Sequence, residues 1–131
     1  MDFYRWLHPS HFHPRKNRFT RLAFKNSSGG GLSAVETVCV ANKSPSIEVH
    51  ARTFYRDKVG PKVIFWQFDI KILPLEATAN QELSDTGDDC HYNIVGVRDK
   101  CLRAIFIKRP LSDFSIVDGD EIRPLEIADM N

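Results

Sequence analysis

The sequence predicts one α+β domain over residues 1–131, with one or two helices on a mixed or mostly antiparallel sheet. Three observations lead there. Runs with strand-like alternation or β-branched content recur at 19–24, 32–41, 63–73, 91–97 and 114–122. Turn-forming residues separate them, as at 26–31 and 118–120. One intervening segment, 44–58, carries helical spacing instead. With 42% hydrophobic and 27% charged residues, the composition is that of an ordinary globular domain. A chain of this length buries roughly two-thirds of its unfolded surface.

Taken in order, residues 8–18 hold Pro9 and Pro14, each of which fixes its own φ and keeps its predecessor out of the helical region, so an extended loop is expected. Phe19, Arg21 and Ala23 alternate with Thr20, Leu22 and Phe24 as a strand that ends at the Asn-Ser-Ser-Gly-Gly-Gly run of 26–31. Residues 32–41, rich in Val and Thr, form its expected hairpin partner. A helix follows: Ser44 caps, Pro45 suits the first position, Glu48 favours the positive end of the dipole, and Ile47, Ala51, Phe54 and Tyr55 share a face. It should stop near Lys58, ahead of Gly60 and Pro61. Residues 63–73 read as a long, central, largely buried strand. The acidic connection 74–90, with Glu82, Asp85, Asp88 and Asp89 around Gly87, is expected to be a lid or to contain a short helix. A strand is expected at 91–97. Residues 100–108 fit a helix after an Asp99 cap, through Leu102, Ile105, Phe106 and Arg109, although their β-branched content also suits a strand. Asp118-Gly119-Asp120 signals a terminal β-ribbon.

Charge is segregated. The first 25 residues carry Arg5, Arg15, Lys16, Arg18, Arg21 and Lys25 against Asp2, a net +5. The last 20 carry Asp113, Asp118, Asp120, Glu121, Glu126 and Asp129 against Arg123, a net −5. The two ends either neutralise each other in the fold or steer a charged partner. Arg15, Lys16, Arg18 and Arg21, interleaved with Trp6, Phe12 and Phe19, have the composition of an anion or nucleic-acid surface. His8, His11 and His13 are all potential metal ligands, but His50, His91 and the cysteines offer no completing spacing, so proline-bounded surface histidines and no metal are expected. The 29–31 glycine run matches neither dinucleotide nor Walker patterns. His91 beside Cys90 on a strand points to the opposite face, which removes a direct Cys/His pair. Cys39, Cys90 and Cys101 are odd in number and lack a Cys-x-x-Cys pair, so free thiols and a cytoplasmic location are expected. No apolar stretch reaches the ~20 residues of a membrane span, and the N-terminus lacks a signal-peptide core.

At Tyr4-Arg5, His8-Pro9-Ser10, Arg18-Phe19-Thr20, Ala23-Phe24-Lys25 and Gly31-Leu32-Ser33, with a looser echo at His91-Tyr92-Asn93-Ile94, the chain resembles a group of short bacterial proteins with no assigned activity. The same order looks like the opening of ADP-ribosyltransferase-type folds, including NAD-degrading toxins. That likeness would place Arg5 on the dinucleotide, Ser33 on a following strand and Glu48 as the catalytic carboxylate, by order alone. The guanidinium would fork onto phosphate and the carboxylate stabilise an oxocarbenium-like transition state. The Gly-Arg-Trp motif of those toxins is absent, and Glu48 falls on the expected helix.

The expected function is therefore that of a small bacterial cytosolic binding protein, for example a toxin-antitoxin, immunity or defence-accessory protein, acting on another protein through charged surfaces and needing no cofactor. The alternatives are an enzyme, or degenerate relative, handling NAD in an arginine-lined pocket, and a nucleic-acid binder using the basic N-terminal segment. Oligomeric state is left open.

Overall fold

A computed structural model describes residues 1–24, 31–106 and 109–130. Nine strands and three α-helices appear among them. In chain order these are β1 (Asp2–Leu7), β2 (Phe12–His13), β3 (Arg18–Phe19), β4 (Leu32–Glu36), α1 (Thr37–Lys43), α2 (Ile47–Phe54), β5 (Ile64–Asp69), β6 (Thr78–Gln81), β7 (His91–Val95), α3 (Asp99–Phe106), β8 (Ser115–Asp118) and β9 (Glu121–Pro124). Seven strands form one sheet in the order β6-β7-β4-β1-β5-β8-β9, while β2 and β3 pair separately. Every pairing is antiparallel. The α+β expectation holds, with the sheet dominant.

Both faces of the sheet are covered. Phe3 and Leu7 of β1, Leu32 and Ala34 of β4, Ile64, Trp66 and Phe68 of β5, Ile94 and Ile116 pack with Leu102 and Phe106 of α3 and with Phe12, Phe19 and Phe24 of the N-terminal arm. On the opposite face Val35, Tyr4, Trp6 and Phe65 meet Val40 of α1, Ala51 of α2, and Tyr55. The centre of the sheet is thus β1, which shows no polar/apolar alternation in the sequence because nearly all its side chains are buried or half-buried on two faces.

Several expected elements take other forms. Residues 21–24 are a 3-10 turn rather than a strand, with Ala23 N–H donating to Thr20 O at 3.1 Å; a turn lets the consecutive Ala23 and Phe24 both enter the core, which alternation forbids. The expected hairpin between 19–24 and 32–41 does not form, since β3 pairs with β2 and β4 lies between β1 and β7. Residues 32–41 are not one strand. Glu36 ends β4 and its carboxylate accepts from the N–H groups of Val38 and Cys39, so the Val-rich 37–43 becomes a helix. Ser46, not Ser44, caps the next helix, its hydroxyl accepting from Val49 N–H at 3.1 Å, and α2 ends at Phe54 before a 3-10 turn, Arg56–Lys58. The expected 63–73 strand stops at Asp69, which accepts from Lys71 N–H at 2.9 Å and turns the chain. Within the acidic connection lies the edge strand β6. The 91–97 strand stops at Val95, before Gly96 at φ +85°, where a Cβ would fall 2.4 Å from Glu76 O. The α3 helix and the β8–β9 ribbon, turning at Gly119 with φ +63°, match expectation. Lys25, residues 26–30 and the 107–108 end of the expected helix lie outside the described residues.

The free-thiol expectation is overturned for two of the three cysteines. Cys39 on α1 and Cys90 before β7 form a disulfide, with Cα atoms 5.5 Å apart, and only Cys101 is free. Sequence spacing could not bring them together; the adjacency of β4 and β7 does. With the bond goes the thiol argument for a reducing compartment. No helix among the described residues is long and apolar enough to cross a membrane.

Candidate functional site

Arg5 and Ser33 meet, but through backbone. From β1, the Arg5 guanidinium donates Nε (3.2 Å) and Nη2 (3.1 Å) to Ala23 O and Nη1 (2.9 Å) to Ser33 O. All three nitrogens are thus engaged by carbonyls. Burial pushes its pKa down to about 10. Glu48 lies elsewhere, on the outer face of α2, bonded to Arg52 Nε at 3.3 Å. Arg52 in turn donates to Gly60 O (3.2 Å) and Pro61 O (2.6 Å), tying α2 to the chain entering β5. Val49, Thr53 and Arg56 line an open groove with these two. The three residues matched by order to the toxin folds are therefore not assembled into one cluster.

The Ser33 hydroxyl has a partner that sequence reading did not assign. Register opposes Ser33 to Asn93 and Val35 to His91, placing Ser33, His91 and Asn93 on one face of β4 and β7. Ser33 Oγ and His91 Nε2 are 2.6 Å apart, and His91 Nδ1 is 2.8 Å from Glu82 O. A carbonyl only accepts, so Nδ1 carries the proton and Nε2 accepts from the Ser33 hydroxyl. Both side chains are half-buried. The sequence pointed to Ser33 through its resemblance by order to the toxin folds and to His91 through the looser His91-Tyr92-Asn93-Ile94 echo, but to neither as the partner of the other.

A second polar cluster is wholly internal. Asp88 and His50 are fully buried. Asp88 Oδ2 accepts from His50 Nε2 (2.8 Å) and the Tyr55 hydroxyl (2.5 Å), and Oδ1 from Cys90 N–H (3.0 Å). Ser44 Oγ lies 2.7 Å from His50 Nδ1. Burial pushes the Asp88 carboxyl up, yet the bonds from His50, Tyr55 and Cys90 outweigh it and hold it below its ordinary value. Burial, then the bond to Asp88, raises the Tyr55 phenol. The cluster clamps α2 to the disulfide-bearing loop. His50, Asp88 and Cys90 also have ligand atoms close enough for a metal, as do Cys39, Asp89 and Cys90, but the disulfide takes both sulfurs.

Of the basic segment, Arg15, Lys16 and Arg18 lie on the β2–β3 hairpin and Arg21 on the 3-10 turn that follows it. Arg15, Lys16 and Arg21 are exposed and Arg18 half-exposed, and among the described residues none of the four makes an ion pair. Phe12 and Phe19 point into the core, packed edge-to-face at 5.7 Å, and so offer no ring for stacking bases. His8 engages Ser10, His8 and His11 rings stand 6.1 Å apart, and no potential metal group among the described residues includes His8, His11 or His13. Burial and then the charges of His8, Arg5 and Lys58 lower the His11 pKa.

At the acidic end, Asp113, Asp118 and Asp129 are paired internally. Arg123 bonds Asp118 (3.1 Å) and, through Nη1 and Nη2, Asp129 (2.8 and 2.6 Å), while Lys62 sits 3.6 Å from Asp118 and Arg109 pairs with Asp113. In the 82–89 loop, Asp89 pairs with Lys43 and Asp88 is buried. Comparisons with known protein families, curated proteins and solved structures gave no match.

Proposed function

We propose that this is a small binding protein whose β2–β3 hairpin docks on an acidic protein surface. One observation carries the reading: Arg15, Lys16, Arg18 and Arg21 lack carboxylate partners among the described residues, while Asp113, Asp118 and Asp129 of the C-terminal end are paired with Arg109, Lys62 and Arg123. Among the described residues no ion pair joins the two ends, so the hairpin keeps its field for a partner. The burial of Phe12 and Phe19 favours a protein over a nucleic-acid partner, because stacking platforms are missing from the hairpin. The engagement of every Arg5 nitrogen by a backbone carbonyl leaves the NAD-handling alternative without comparable support.

The test is fluorescence anisotropy with labelled polyglutamate and a labelled DNA duplex, at 50 and 200 mM salt as convenient low and high points on the screening scale. Saturable binding to polyglutamate that exceeds binding to DNA and disappears in Arg15→Glu/Lys16→Glu supports the reading. Preference for DNA transfers the hairpin to the nucleic-acid alternative. No binding to either probe overturns both.

A further inference from the structure

We propose that Ser33 and His91 are a nucleophile and its general base, with the Asn93 amide as polarising donor, acting on a small uncharged carboxylic ester. The pair has the geometry that role demands. The hydroxyl lies within proton-transfer reach of Nε2 at 2.6 Å, and the ring is oriented by a fixed acceptor, Glu82 O, at 2.8 Å from Nδ1. Its tautomer is therefore the one a base needs. Asn93 stands directly opposite Ser33 in the β4–β7 register, where facing side chains lie within about 5 Å. Gly31 makes room for that amide: a Cβ there would fall 1.9 Å from Asn93 Oδ1.

Two neighbours extend the polar row. Asn80 of β6 opposes Asn93 on its other side. On β1, Trp6 is two residues beyond Tyr4, the partner of Val35, which puts it on the Ser33 face; its indole N–H is buried without a hydrogen-bond acceptor. A buried donor with no partner is costly, and a substrate oxygen would relieve it. The guanidinium that reaches Ser33, Arg5, bonds its backbone carbonyl and not its hydroxyl, so the row is built of amides, an indole, a hydroxyl and an imidazole. Neutral hydrogen-bonding groups suit an uncharged substrate.

The chemistry balances on these groups. Ser33 Oγ forms a bond to the ester carbonyl carbon as its proton passes to His91 Nε2. The ester C–O bond breaks and the leaving alkoxide takes that proton. Water, losing a proton to His91, then cleaves the acyl-serine to a carboxylic acid and restores the hydroxyl. Ser44 with His50 is the rival pair, but its imidazole is fully enclosed, whereas Ser33 and His91 both keep solvent exposure.

The test is labelling with an alkyl fluorophosphonate, in which a bond from Oγ to phosphorus replaces the P–F bond and fluoride leaves. Intact-mass and fragmentation measurements should find one label per chain, on Ser33, absent from Ser33→Ala and at least ~100-fold slower in His91→Gln. Thermal melts must show each variant folded; should His91→Gln fail, His91→Asn and Asn93→Ala take its place, each expected to slow labelling. A folded wild-type protein that takes no label, takes it on Ser44, or is labelled as fast without the imidazole overturns the proposal.

Discussion

Arg5 illustrates how little a residue type says about its role. By sequence it is a cation near a basic segment; in the fold it is three hydrogen-bond donors that tie the 3-10 turn at 21–24 to β1 and β4. Arg5→Leu leaves the Ala23 and Ser33 carbonyls unsatisfied, at about 1–3 kcal/mol each. We expect urea unfolding to show a loss of about 2–6 kcal/mol, with Arg5→Lys recovering only part because it lacks the fork; a variant as stable as wild type refutes this role. Asp129 carries a pH prediction. Its hydrogen bond from Arg123 depresses its pKa to about 2, and that of Asp88 is also below its ordinary value. A carboxylate with a depressed folded pKa stabilises above its unfolded value, ~3.9, and loses that contribution as pH falls through the folded one. The melting temperature should therefore drop from pH 4 towards pH 2, and Arg123→Ala should flatten part of that slope. An unchanged slope would show that Asp129 does not contribute. Ser33 was a candidate only through its order in the resemblance to ADP-ribosyltransferase-type folds; His91 as its partner was not legible, because 58 residues separate them.

At the level of elements, what was legible was local. The Asp118-Gly119-Asp120 turn and the α3 helix follow from backbone preference and face periodicity. The strand at 32–41 was overwritten because Glu36, an unusual cap by propensity, can satisfy two helix N–H groups once Val40 has a core to enter. The Cys39–Cys90 bond joins α1 to the start of β7 across a separation of 51 residues. Chain-entropy reasoning gives such a loop about 4 kcal/mol. Reduction with dithiothreitol, or the Cys39→Ala/Cys90→Ala double variant, should lower the urea midpoint by a corresponding amount; an unchanged midpoint would mean the cross-link adds no stability.

For the molecule as a whole, the sheet is the shared wall of two apolar layers. Trp66 sits in the α3 layer and Trp6 in the α1–α2 layer, and β1 and β5 pass through both. One cooperative unit should follow. Single-tryptophan variants, Trp6→Phe and Trp66→Phe, should each unfold with a fluorescence midpoint equal to that from circular dichroism, whereas separated midpoints within either variant would show the layers melting independently. By itself, the sequence determined the α+β class, the turn at 118–120 and the separation of charge between the ends, since these depend on backbone sterics and composition. Only the tertiary structure decided that β1 is central, that Cys39 bonds Cys90, that Ser33 meets His91, and that Asp118 and Asp129 pair locally with Arg123 while the basic hairpin has no ion pair among the described residues. Strand order and the contacts it creates come from burying two faces at once, and no local window of residues carries that information.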